Sequence, residues 1–208
     1  MSEELGKIEK PQVEEFRKGR KLYFIPLIYC GKEPQAEYLE KFNEYWNQVE
    51  TQMSDLELKL GRINRIYHEL VPVGSVTGIE MIKELNDKSY QIIKGKVDKG
   101  AQLEATEEGE WLTEFMDWSK CLAAGLQNQK VFTRVYESYT EASKNRNEHI
   151  TRQIDETLKA DEAGILFMRE GHQVQFPPNI QVFYVAPPAL DEIKRWLRDR
   201  EAKSPEEK

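Results

Sequence analysis

The sequence predicts an α/β fold: a helix-rich layered domain with a central, mostly parallel sheet of about five strands. Three observations lead there. Short, almost unbroken apolar runs recur along the chain. Longer segments with apolar residues at every third or fourth position separate them, and Gly and Pro punctuate the junctions. Strands that read as continuous apolar runs belong to sheets covered on both faces, which is what parallel crossovers produce.

Leu22 to Cys30 is the first such run, and Gly31 ends it. Pro26 has no N–H to give to a ladder and directs this strand toward a sheet edge or a bulge. From Tyr38 the apolar positions Phe42, Tyr45, Trp46, Val49, Met53, Leu56 and Leu60 trace one helical face, stopped by Gly61. Ile63 to Val71 reads as a second strand closed by Pro72 and Gly74. Strand, helix, strand then implies a right-handed crossover and a parallel pair.

A helix over Gly78 to Ile93 carries Ile79, Met81, Ile82, Leu85 and Tyr90, and Asn86 to Ser89 is a stretch that could divide it. Ala101 to Thr106 is a short third strand and its exit. Thr106, Glu107, Glu108 and Glu110 put a cap and carboxylates at the start of the next helix, where the macrodipole favours them. That helix turns Trp111, Leu112, Phe115, Trp118 and Leu122 inward. Val131 to Leu158 is helical, weakened locally by Lys144 to Asn147. Gly164 to Met168 and Gln181 to Ala186 are two further strands, and Asp191 to Arg200 is a closing helix with Ile193, Trp196 and Leu197. Residues 1–19 read as a flexible lead-in, 20–201 as one α/β domain and 202–208 as a disordered tail.

Composition narrows the function classes. The 208 residues are 39% hydrophobic and 32% charged with 12 Gly and 9 Pro, which excludes collagen, a coiled-coil rod and wholesale disorder. No stretch reaches the roughly 18 uninterrupted apolar residues of a membrane helix, and the polar start Met1 to Glu4 lacks the apolar centre of a secretory signal. The expectation is a cytoplasmic chain with no membrane partner. Thirty Lys and Arg against 37 Asp and Glu give a formal charge of −7, which repels phosphate backbones and argues against nucleic acid as a partner. Arg17 to Lys21 is the one basic cluster, read as a solvated lead-in or an anion-contacting arm. Cys30 and Cys121 have no C-x-x-C spacing and read as reduced side chains. Phosphate-binding glycine loops, G-x-S-x-G and H-E-x-x-H are all missing, which leaves nucleotide binding and standard serine hydrolysis without support.

The candidate chemistry lies where strands end. His172 follows the run Gly164 to Met168, His68-Glu69 closes the second strand and Leu103-Glu104 the third. In an open α/β sheet the carboxyl ends of parallel strands border one crevice, where ligands bind. A carboxylate inside an apolar run needs a cation or several donors, and Arg146 is the counter-charge available to Glu69 and Glu104. Glu69, Glu104, Arg146 and His172 are therefore the expected catalytic set. His68 alternates against Glu69 toward the opposite sheet face, and His149 reads as a helix-surface residue.

The segment Lys99 to Glu108 resembles the "G-x-x-x-L-E-T" turn of the TraB/Tiki-like superfamily. Arg146-Asn147, followed by Ile150, Ile154 and Leu158, resembles that group's "R-N" helix, which precedes a strand and a G-x-x-H motif; here the strand is Gly164 to Met168 and the histidine His172. The strand ending in Glu69 is similar to the group's second strand. The chain departs in two places. Arg169 stands where the glycine of G-x-x-H would be, and Gly31 is followed by Lys32, Glu33 and Pro34 with no first histidine. The resemblance implies a layered α/β scaffold and, in its complete form, metal-dependent hydrolysis; two-histidine coordination is not available from the matching positions here.

Two functions follow as expectations. One is a hydrolase cleft in which Glu69 and Glu104 act as general base or hard-metal ligands, His172 shuttles a proton and Arg146 holds an anionic group of a small-molecule or peptide ligand. The divalent cation suited to such donors is Mg²⁺ or Mn²⁺. The other is a non-catalytic binding or regulatory module that keeps the scaffold and self-associates as a homodimer through spare apolar stripes carrying Trp111, Trp118 and Trp196.

Overall fold

A computed structural model describes Phe16 and residues 18–203. In chain order it contains β1 (Arg20–Pro26), α1 (Ala36–Leu60), β2 (Ile63–His68), α2 (Ser75–Leu85), α3 (Asp87–Val97), β3 (Gln102–Leu103), α4 (Gly109–Ala123), α5 (Gln129–Thr157), β4 (Ala163–Met168), β5 (Ile180–Tyr184) and α6 (Pro188–Lys203). The strands pair in the order β3-β2-β4-β1-β5, and every pairing is parallel. The fold is the expected α/β layered domain. The lead-in expected over 1–19 lies outside the described residues except for Phe16, Lys18 and Gly19, and the tail expected over 202–208 does so except for Ala202 and Lys203.

Alternation along β1 divides the core in two. Tyr23 and Ile25 face one layer, where α1 contributes Phe42, Tyr45, Trp46, Val49 and Met53, α3 Ile93, and α6 Leu190 and Ile193. Leu22 and Phe24 face the other, against Ile150, Ile154 and Leu158. Burying each such aliphatic or aromatic side chain contributes about 1.5–3 kcal/mol, so the period-2 pattern of the central strands holds both layers.

Pro26 does not place β1 at an edge. The strand lies between β4 and β5, and Pro26 is its last residue. Pairing with β5 stops at Phe24 and Tyr184, so the position of the missing N–H falls where no ladder partner remains. On the other side Leu27 N–H still donates to the Met168 carbonyl at 2.9 Å.

The helix expected over 78–93 is two. Asn86 ends α2 and starts α3: its Oδ1 accepts from Ser89 N–H at 3.0 Å, and its Nδ2 donates to the Ile28 carbonyl at 2.8 Å. By contrast α5 runs unbroken through Lys144 to Asn147, because Arg146 and Asn147 are buried there and tertiary packing overrides local propensity.

Two connections shape the site. The link from β4 to β5 passes β1 without a helix, and Val174 and Phe176 from it cover Leu22 and Phe24. Between β3 and β4 stands the helical pair α4 and α5. The basic cluster is built into the fold: Arg20 donates to Asp155 and Asn179, and Lys21 is buried with Nζ donating to the Gly19 carbonyl. Arg17 lies outside the described residues.

Candidate functional site

β2 and β4 are parallel neighbours, so their carboxyl ends open at the same rim. Glu69 N–H extends the ladder by donating to the Phe167 carbonyl at 2.9 Å. Alternation then sends His68 and Glu69 to opposite faces. His68 is fully buried toward α3, with Nδ1 2.7 Å from the Glu69 carbonyl oxygen and Nε2 3.1 Å from Ser89 Oγ. A carbonyl only accepts, which assigns the ring proton to Nδ1. Burial holds His68 at a pKa of about 4, so it is a neutral core residue. The following Leu70 takes the left-handed conformation, φ +66°, and donates its N–H to Glu107 Oε1 at 3.0 Å. Such a conformation is costly for a residue with a Cβ and is held here by the carboxylate it serves.

Glu107 and Arg146 form the buried centre. Arg146 Nε donates to Glu107 Oε2 at 2.9 Å and Nη2 to Oε1, a two-pronged pair whose side chains are 6% and 0% exposed. The Phe115 ring lies 4.7 Å from the guanidinium carbon. Nη2 also lies 4.0 Å from Glu69 Oε2. Among the described residues nothing accepts from Arg146 Nη1, and Arg146 lines the cleft.

Glu69 is gripped from its other side. Arg169 Nε lies 2.9 Å from Oε1, and the Tyr29 hydroxyl donates to the same oxygen at 3.2 Å. Burial pushes the Glu69 carboxyl above the usual carboxylate range, and the charges of Arg169 and Arg146 pull against it without cancelling it. Burial and the neighbouring Glu69 charge raise the Tyr29 hydroxyl, which keeps it a donor.

His172 enters on the helix-free link, after a turn at Gly171 whose φ of +83° favours glycine. Its ring packs 4.8 Å from Phe24 and 5.9 Å from Phe176. Val174 N–H donates to Nδ1 at 3.2 Å, so that nitrogen is unprotonated and Nε2 carries the hydrogen. Burial first, and the Arg146 charge second, lower its pKa, so the neutral ring is favoured. It offers a proton, not a lone pair.

These groups border a cleft of about 570 Å³, within the range of small-molecule sites. Glu69, Arg146, Arg169 and His172 line its floor and one flank, and α4 and α5 form the facing wall. Of the four residues expected from sequence, three meet there. The fourth, Glu104, is not among the lining residues: Arg65 Nη1 donates to its Oε1 at 2.5 Å, and the same guanidinium holds Glu162 at 3.0 Å. Three residues were missed, Glu107, Arg169 and Tyr29. Glu107 was concealed within a run of acids read as helix-start charges; the signal was that the helix start needs only Glu108, whose side chain accepts from Trp111 N–H at 2.9 Å. His149 is half-buried, its ring 5.3 Å from Trp111.

No family model, curated protein or solved structure matches this chain.

The Mg²⁺ or Mn²⁺ expectation can be tested on the donors themselves. Glu69 Oε1 accepts from Arg169 and the Tyr29 hydroxyl, Glu104 lies outside the cleft on Arg65, Glu107 spends both oxygens on Arg146 and Leu70 N–H, and His172 presents N–H where a ligand needs a lone pair. No cluster of three or more His, Cys, Asp or Glu able to hold a metal occurs among the described residues. The residues do not fit a divalent cation.

Proposed function

We propose that this chain is a non-catalytic binding module on a TraB/Tiki-like scaffold, which takes a small molecule into the cleft by its oxyanion. One observation carries the reading: the uncommitted nitrogens at the floor are donors. Arg146 Nη1, the Arg169 Nη atoms and His172 Nε2 have no acceptor among the described residues, while both Glu107 oxygens and Glu69 Oε1 are already engaged. A carboxylate or phosphate group supplies the acceptors these donors lack, and a buried guanidinium gives charge-assisted bonds about twice as strong as neutral ones.

Calorimetric titration of the full chain with inorganic phosphate tests this. Saturable binding that weakens with added sodium chloride supports the reading; no saturable binding of phosphate, sulfate or acetate overturns it. The exposed Arg169→Gln is the informative variant, since loss of Arg146 would strand Glu107 as a buried charge.

A hydrolase is the second reading, favoured by the raised Glu69 carboxyl within the cleft. Ionised Glu69 would take a proton from water as the water oxygen attacks an ester carbonyl, His172 Nε2–H would bond the oxygen gaining charge, and the proton would pass to the leaving alkoxide. Release of p-nitrophenol from p-nitrophenyl acetate, lost in Glu69→Gln, would favour it over binding alone. Cytoplasmic residence and homodimer formation belong to the proposal as well; light scattering at two concentrations reads the second.

A further inference from the structure

The cleft is far larger than an inorganic oxyanion, so whatever seats at Arg146 has a body, and the wall describes it. That wall comes from α4 and α5, which present Phe115, Met116, Tyr136 and Tyr139 to the cavity. Phe115 lies against the Arg146 guanidinium at 4.7 Å, and its ring centroid is 5.4 Å from that of Tyr139, tilted by 32°. A row of rings thus leads away from the donors. Tyr136 and Met116 stand on the same wall with 53% and 41% of their surface open; the Tyr136 ring stacks on Phe132 at 6.0 Å and leaves the rest of its surface uncovered. Rings and a thioether attract another ring by edge and offset contacts and by sulfur–aromatic contact, at centroid separations of about 4.5–7 Å, beyond what apolar area alone supplies. A saturated body gains only the area.

We propose that the ligand is an aromatic oxyanion, a planar ring bearing a phosphate or carboxylate, with the charged group on Arg146 and Arg169 and the ring against Tyr136 and Met116. This rests on the oxyanion reading above and adds the ligand's class. Phosphate and carboxylate heads share the chemistry and separate in the test.

Calorimetry compares inorganic phosphate, phenyl phosphate, cyclohexyl phosphate and benzoate on the full chain. Phenyl phosphate is expected to bind about three- to tenfold more tightly than cyclohexyl phosphate, which has the same size and charge without the ring electrons. Tyr136→Leu keeps the exposed apolar area and the helix, removes that preference, and leaves inorganic phosphate unchanged; Met116→Leu serves as the second variant should Tyr136→Leu be poorly folded. Benzoate binding as tightly as phenyl phosphate assigns a carboxylate head, and weaker binding a phosphate head, each with the aromatic body retained. Equal affinity for the phenyl and cyclohexyl esters overturns the aromatic assignment while the oxyanion reading stands. Failure of all four probes overturns both.

Discussion

Arg146 reaches from α5 to Glu107, just before α4, and closes both oxygens of that carboxylate with two of its three nitrogens. Glu107 in turn accepts Leu70 N–H, so one buried pair joins the end of β2 to both helices that wall the cleft.

Breaking that pair from one side is expected to destabilise the fold by about 3–5 kcal/mol, because it leaves an uncompensated buried charge. Glu107→Gln and Arg146→Gln should each lower the denaturant midpoint strongly. The double variant Glu107→Gln/Arg146→Gln should lose less than the sum of the two, since neither charge is then stranded.

Arg169 and Glu104 separate binding from stability. Arg169 is half-exposed but its partner Glu69 is buried, so Arg169→Gln should weaken phosphate binding and cost some stability, less than Arg146→Gln because the Tyr29 hydroxyl still donates to Glu69. Glu104→Gln should cost stability alone: a modest loss, on the order of 1 kcal/mol, from the Arg65 cluster, with unchanged phosphate affinity.

Acid should act through His68. Its folded pKa of about 4 lies below the ordinary histidine value near 6.5, so the unfolded chain binds the extra proton first. Stability is therefore full above about pH 6.5 and falls as the pH drops toward 4, by up to about 3 kcal/mol for this group. Urea melts between pH 7 and 4 should show that slope, and His68→Gln should flatten it.

Glu69 carries the opposite sign. Its folded carboxyl is raised, so its contribution is full below the ordinary carboxylate value and is lost as pH rises through the folded pKa. An oxyanion bound on Arg146 and Arg169 adds negative charge beside Glu69 and competes for its cations, which favours proton uptake. Phosphate affinity, corrected for phosphate's own ionisation, should fall as pH rises through that range, and Glu69→Gln should remove the dependence while retaining binding.

Mg²⁺ and Mn²⁺ should leave the melting temperature unchanged at millimolar concentration. A rise that Glu69→Gln abolishes would show that the carboxylate can exchange its guanidinium partners for a metal.

Much of this was legible in the chain. Continuous apolar runs mark β1, β2 and β4, the rule that parallel strands share a carboxyl rim places Glu69 and His172 at one crevice, and the need of a buried carboxylate for a cation adds Arg146. The failures have local causes. Pro26 reads as an edge signal because sequence does not show that the pairing with β5 stops at Phe24, two residues short of it. Glu104 reads as a cleft residue because β3 pairs over only two residues, and Arg65, which claims its carboxylate, lies in the middle of β2. Glu107 was concealed by neighbours with the same charge and a different task. Which carboxylate meets which guanidinium depends on side-chain direction, and periodicity carries no record of it.

The helical pair that walls the cleft contributes only Leu112, Ala142 and the base of α5 to the buried interior, and its far half is surrounded by solvent. Recognition of the ligand's body and the integrity of the sheet are thus assigned to different residues. The far half of α4 and α5 is a stretch where selectivity can be rewritten, residue by residue, with the scaffold left standing.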